Sequence, residues 1–136
     1  MIKGIGHVAY VVEDLGESLD FYCGVLGFEK LFTLENDEGE TWLVYLHVGD
    51  GEYVELFPSD KVDERTKGRI GYHHLCLEVE DIEEIAQKMR DAGVELTSEP
   101  TKGEDGNYQC WVEDPDGNSI EFMQMMPDSL QRRAVD

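Results

Sequence analysis

The chain repeats itself, and the repeat restricts its fold more than any other feature. His7-Val-Ala-Tyr-Val-Val-Glu-Asp14 aligns with His74-Leu-Cys-Leu-Glu-Val-Glu-Asp81, with the histidine and the final aspartate coinciding. Each stretch alternates as a strand does, and each ends in an aspartate suited to cap a helix. The helices that follow carry apolar residues at helical spacing, Leu15, Leu19, Tyr22 and Leu26 in the first and Ile82, Ile85, Ala86 and Met89 in the second. Gly27 and Gly93 then stop them, because glycine tolerates the left-handed backbone that a helix C-terminus commonly needs. The second helix is one residue shorter, and beyond it the alignment holds. Asp50-Gly51 meets Asp116-Gly117, and Tyr53-Val-Glu-Leu-Phe57 meets Ser119-Ile-Glu-Phe-Met123, so Glu55 aligns with Glu121.

Each half thus reads as a strand, a helix and about three strands ending in a hairpin. The expected class is α+β, built from two βαβββ modules. Module one covers about 4–58, a linker about 58–71, module two about 72–126, and a tail poor in apolar residues runs from Pro127 to Asp136. A chain of 136 residues suits a single domain that buries a core without disulfides.

The repeat also selects residues that carry chemistry. Each half has one histidine near the start of its first strand and one glutamate in its last, and two halves related by a pseudo-twofold would bring His7, Glu55, His74 and Glu121 together. Two imidazoles and two carboxylates make a mixed nitrogen and oxygen site for one divalent metal, Ni, Zn, Co, Mn or Fe, with room for water or substrate oxygens. Taken singly, a strand histidine or glutamate is more often a solvated side chain. Its recurrence at equivalent positions of a repeat is what favours the ligand reading.

Strand parity sorts the neighbours. If Asp50-Gly51 is a two-residue turn, Leu46 pairs with Glu55, and His47 faces the other way with Val54 and Leu56. His73, adjoining His74 in an extended strand, is expected to point away from it. The same parity puts Trp42, Val44, Leu46, Tyr53 and Phe57 on the face of Glu55, and Tyr108, Cys110, Val112 and Met123 on that of Glu121. Trp42, Leu46, Phe57, Tyr108 and Met123 are the candidate substrate contacts in a mainly apolar cavity, although filling the core is the plainer role for any one of them. Glu78 shares the side of His74, as an outer partner or at the exposed strand end.

Composition excludes some functions. A formal net charge of −20 argues against nucleic acid and anionic membrane surfaces, which both need a positive footprint. No apolar run approaches the roughly 20 residues of a membrane span, and the N-terminal residues do not resemble a signal peptide, so a cytoplasmic protein is expected. Cys23, Cys76 and Cys110 are spaced too irregularly for a disulfide framework or a Cys-x-x-Cys site, and buried reduced thiols are the expectation. Lys61, Arg65, Lys67 and Arg69 concentrate positive charge in the linker, either to hold a substrate anion or as an ordinary solvated loop.

Several motifs now combine: His7 with Asp14-Leu15 and Asp20-Phe-Tyr22, then Val25-Leu-Gly-Phe28, Glu55-Leu56, His73-His-Leu75 and Asp114-Pro-Asp-Gly-Asn-Ser-Ile-Glu-Phe122. With them, from about Gly4 to Met126, the chain resembles the vicinal oxygen chelate superfamily, which includes glyoxalase I, methylmalonyl-CoA epimerase, extradiol dioxygenases and fosfomycin resistance enzymes. The resemblance implies the glyoxalase/bleomycin resistance/dioxygenase fold, a homodimer and a small-molecule substrate with adjacent oxygens. Members similar to glyoxalase I hold their metal with two histidines and two glutamates, which His7, Glu55, His74 and Glu121 match. Extradiol dioxygenases use only one carboxylate, and the epimerases usually carry glutamine where Glu55 stands and lack the Asp-Pro-Asp-Gly-Asn segment. The implied activity is that of a lyase or isomerase that transfers a proton through a metal-stabilised enediolate, with Glu121 as base and Glu55 as the alternative. An epimerase or sugar-derivative isomerase is the nearest alternative. A small-molecule-sequestering protein of the bleomycin-resistance kind is the alternative of another class.

Overall fold

Residues 1, 3–60 and 71–135 are described in a computed structural model of the chain. They fall in two compact units, Met1–Glu64 and Arg65–Asp136. The positively charged linker residues Lys61, Arg65, Lys67 and Arg69 lie outside the described residues.

In the first unit, β1 (Val8–Val12) leads into α1 (Leu15–Leu19), and β2 (Glu29–Glu35), β3 (Thr41–Gly49) and β4 (Glu52–Pro58) follow. The sheet has the order β1-β4-β3-β2, with β1 parallel to β4 and the other pairs antiparallel. The second unit repeats this with β5 (Leu75–Glu78), α2 (Ile82–Asp91), β6 (Ser98–Lys102), β7 (Tyr108–Glu113) and β8 (Ser119–Gln124), in the order β5-β8-β7-β6. Two βαβββ modules are therefore present, as the repeat predicts. Among the described residues no helix is long and apolar enough to cross a membrane.

Local chemistry accounts for the helices. Asp14 accepts from the Glu17 amide at 3.0 Å, and Asp81 accepts from the amides of Glu83 and Glu84 at 2.9 and 3.1 Å, so both caps hold otherwise unpaired first-turn donors. Gly27 and Gly93 take φ of 81° and 76° at the C-termini. The first helix departs from its expected regular spacing, because Asp20–Val25 is π-helical. The wider turn presents Phe21 and Tyr22 together to the core, where Tyr22 packs against Tyr10, Phe21 and Phe28 with centroids 5.1 to 6.0 Å away.

One face of each sheet forms the core. Tyr10, Val12, Val44, Leu46, Val54 and Leu56 are buried in the first unit, and Cys110, Val112, Ile120 and Phe122 in the second, where α2 adds Ile82, Ala86 and Met89. The hairpins set which residues these are, and they correct the parity expected from the sequence. A two-residue turn of type I′ needs positive φ at both central residues. Gly51 and Gly117 have it, at 73° and 80°, but among the described residues no residue other than glycine does, so Asp50 and Asp116 do not. The first hairpin closes on Gly49 and Glu52 and slips by one at a bulge, so that His47 pairs with Tyr53, Leu46 with Val54 and Tyr45 with Glu55. The second reaches the equivalent register, with Glu113 opposite Ser119 and Trp111 opposite Glu121. A slip of one residue exchanges the faces of a strand. Val44, Leu46, Cys110 and Val112 thereby move to the core, and Tyr45, His47, Gln109 and Trp111 share the faces of the glutamates.

The tail, although poor in apolar residues, is tied down. Leu130–Arg133 forms a short helix, α3, which Ser129 caps by accepting from the Arg132 amide at 3.1 Å. The Leu130 amide donates to the Asp105 carbonyl at 2.7 Å, tying this helix to the β6–β7 loop. Gly106, at φ 89°, permits the approach, since a Cβ there would lie 3.2 Å from the Cα of Ser129.

Candidate functional site

In the first unit His7 directly precedes β1, and Glu55 stands in β4 beside Ala9 of the parallel partner strand. His7 Nε2 lies 3.0 Å from Glu55 Oε2, with the imidazole 44% exposed and the carboxylate 9%. A carboxylate so withdrawn from water requires polar partners. The second is Tyr45, opposite Glu55 in β3, whose hydroxyl sits 3.5 Å from His7 Nδ1. Its hydrogen bond to Glu55 is the main cause that pushes the phenol pKa up. The Tyr45 ring stacks on Phe32 at 4.6 Å.

His47 shares this face, contrary to the sequence parity, yet it is engaged elsewhere: its ring lies 5.7 Å from that of Tyr53, and Nδ1 is 3.7 Å from Glu29 Oε2. Phe57 follows Glu55 by two residues on the same face. Trp42, 54% exposed, meets it edge to face at 6.2 Å. Leu46 is fully buried on the other side of the sheet, which removes it from the candidate contacts.

The second unit repeats the pair. His74 Nε2 lies 3.0 Å from Glu121 Oε2, with side chains 30% and 14% exposed. Cys76 faces Glu121 across the parallel β5–β8 pair. The residue as a whole is exposed, contrary to the buried thiol expected, yet desolvation of its sulfur first, and then the charge and hydrogen bonding of Glu121, push the thiol up to about 12. Trp111, opposite Glu121 in β7, packs edge to face on His74 at 4.7 Å. His73 is not directed away from its neighbour. The two residues precede the strand, where alternation does not apply, and their Nδ1 atoms are 2.7 Å apart. Met123 lies on the face of Glu121, its sulfur accepting from Asn107 Nδ2 at 3.4 Å. Tyr108 pairs with Gln124 and by register faces away from Glu121, so it too is corrected. Glu78 is exposed at the end of β5.

Among the described residues no three or more His, Cys, Asp or Glu side chains cluster for a metal; each unit holds one imidazole paired with one carboxylate. The pair spacing suits adjacent ligands. Two donors about 2.1 Å from a cation and about 90° apart are themselves separated by about 3 Å. Sequence reasoning missed Tyr45, Trp111, Cys76 and His73. Tyr45 and Trp111 align in the repeat just as Glu55 and Glu121 do, a signal that the mistaken register concealed.

Comparison with known proteins agrees with this architecture. The profile of the Glyoxalase/Bleomycin resistance protein/Dioxygenase superfamily matches residues 4–122. A probable lactoylglutathione lyase of Synechocystis sp. is 35% identical over 122 residues, 87% of this chain and 92% of that protein. The lactoylglutathione lyase of Haemophilus influenzae is 37% identical over 123 residues, 87% of this chain and 90% of its own length. Among solved structures, a glyoxalase family protein from Enterococcus faecalis superposes with a TM-score of 0.80 at 29% identity, covering 90% of this chain and 98% of that one. The chain therefore belongs to the Glyoxalase/Bleomycin resistance protein/Dioxygenase superfamily and is an enzyme similar to its lactoylglutathione lyases.

Proposed function

We propose that the chain is a metal-dependent lyase or isomerase of the glyoxalase I type, which moves a proton between neighbouring carbons of a small substrate bearing adjacent oxygens. His7, Glu55, His74 and Glu121 are the ligands of one divalent cation, Ni, Zn, Co, Mn or Fe. The observation that carries this reading is the recurrence of one imidazole nitrogen and one carboxylate oxygen, 3.0 Å apart, at equivalent positions of both repeat units. Bound there, the cation supplies Lewis acidity, stabilising the charge that develops on the substrate oxygens as the carbon-bound proton leaves.

The chain's own residues divide the remaining work. The two imidazoles supply the nitrogen donors. Glu55 is the more buried carboxylate and is tied by the Tyr45 hydroxyl, which makes it the fixed side of the site. Glu121 is less buried and has a thiol rather than a phenol beside it, a weaker hydrogen-bond donor. It is the carboxylate free to take the proton from one carbon and return it to the next. Phe57, Trp42 and Met123 offer apolar surface to the substrate. A hemithioacetal of glutathione is the first substrate to try, because the similar proteins are named lactoylglutathione lyases. In this reading the enzyme is a cytoplasmic homodimer.

Elemental analysis of the purified protein tests the ligand set, with about one divalent metal per chain expected and loss of metal in Glu55→Gln and in His74→Ala. Full retention in both variants overturns it. A metal-loaded protein that converts no hemithioacetal, acyl-CoA ester or hydroxy-ketone overturns the proton-transfer reading.

A further inference from the structure

Two histidines stand side by side before β5, and only one of them faces Glu121. His74 directs Nε2 to the carboxylate at 3.0 Å, which leaves Nδ1 as its second ring nitrogen. That nitrogen is 2.7 Å from Nδ1 of His73, and the rings meet edge to face with centroids 5.0 Å apart and planes at 81°. At this separation one nitrogen carries a proton and the other accepts it, since two lone pairs or two N–H groups would repel.

What Nε2 of His74 does decides which ring donates. Facing a carboxylate alone, Nε2 carries the proton and Nδ1 accepts from His73. Holding a cation, Nε2 must present a lone pair, and in a neutral ring the proton then sits on Nδ1, where it needs an acceptor. His73 Nδ1 is that acceptor once its own proton resides on Nε2. We propose that His73 is the positioning residue of His74, and that the two rings exchange tautomers together when His74 takes a cation. No net proton is gained or lost in the exchange. The proposal rests on the metal-binding reading given above.

The first unit has no such device. Gly6 precedes His7, and the Nδ1 atom of His7 meets the Tyr45 hydroxyl instead, at 3.5 Å. Each unit thus provides its imidazole with a different outer partner. Trp111 packs on the His74 ring independently, so loss of His73 removes the acceptor without freeing the ring from all packing.

The test uses zinc as the probe, because it is diamagnetic, and the full chain. Zinc affinity is measured for the wild type, for His73→Ala, and for His73→Asn, whose carbonyl oxygen takes nearly the place of Nδ1. Loss of an outer partner typically weakens metal binding 10–100-fold. We expect a loss of about that size for His73→Ala, recovery of most of it in His73→Asn, and unchanged denaturation midpoints of the metal-free proteins. Nitrogen-15 spectra of wild-type imidazoles should show His74 change from the Nε2–H to the Nδ1–H form on zinc addition, with His73 changing the opposite way. Wild-type affinity in His73→Ala, or a His73→Asn variant as weak as alanine, overturns the proposal while leaving the metal centre intact. A wild-type protein that takes up no divalent metal overturns the metal centre and this proposal with it.

Discussion

The hairpin between β7 and β8 decides which face of the sheet carries Glu121, and Asp114 holds that hairpin together. Its side chain is 4% exposed. Oδ1 accepts from the Asp116 amide at 2.9 Å and the Asn118 amide at 2.8 Å, and Oδ2 accepts from Asn118 Nδ2 at 2.9 Å. Hydrogen bonds to a charged group contribute about 1.5–3 kcal/mol each. The three do not add fully, because Asp116 is exposed and Asn118 half-buried, so water takes up part of what the carboxylate releases. Asp114→Ala should therefore lower stability by about 3 kcal/mol. Asp114→Asn keeps an oxygen for both backbone amides and should cost about 1 kcal/mol. The assay is urea unfolding followed by tryptophan fluorescence in a Trp42→Phe background, which leaves Trp111 of β7 as the reporter. A loss under about 1 kcal/mol for alanine, or equal losses for alanine and asparagine, refutes the account.

Other expectations follow from the same geometry. Leu46→Ala should cost about 3 kcal/mol, as for a buried leucine, whereas Tyr45→Ala should cost distinctly less in the same urea titration; the reverse order would mean that the strand pairs as a two-residue turn dictates. Ser18 Oγ is buried without a hydrogen-bond partner among the described residues, so Ser18→Ala should hold or raise stability, by up to about 1 kcal/mol, and a clear loss would reveal a hidden partner. Burial, reinforced by Glu99, pushes the Cys110 thiol from 9.0 to about 11. Between those values the unfolded chain has lost a proton that the folded chain retains, so this contribution is whole below pH 9 and falls away as pH rises towards 11. Cys110→Ala should show a shallower alkaline decline of unfolding free energy than the wild type, and parallel curves would contradict the shift.

The duplicated plan, both helix caps, both glycine stops and the matched His–Glu pairs were all legible in the residues, because each depends on neighbours a few positions away or on the repeat itself. Asp14 and Asp81 cap for the same local reason, and His7 with Glu55 aligns with His74 and Glu121 whatever the loops do. The π-helical turn at Asp20–Val25 was not legible, since its spacing fits an ordinary helix until Phe21 and Tyr22 must both reach the core. The faces of the strands were not legible either. Asp-Gly permits a two-residue turn, and only the closing bonds from the Asp114 amide to the Asn118 carbonyl and from the Gly117 amide to the Asp114 carbonyl select the longer loop. That loop in the second hairpin, and the bulge between His47 and Gly49 in the first, each add one residue and exchange inside for outside along the strand, burying Cys110 and Leu46 and bringing Trp111 and Tyr45 beside the glutamates. His73 joins His74 for a related reason, because it precedes the strand and escapes the alternation that pleating imposes. The residues by themselves determined which histidine and glutamate pair in each unit; tertiary structure alone decided what surrounds them, because pairing register and side-chain direction arise from contacts between segments distant in the chain.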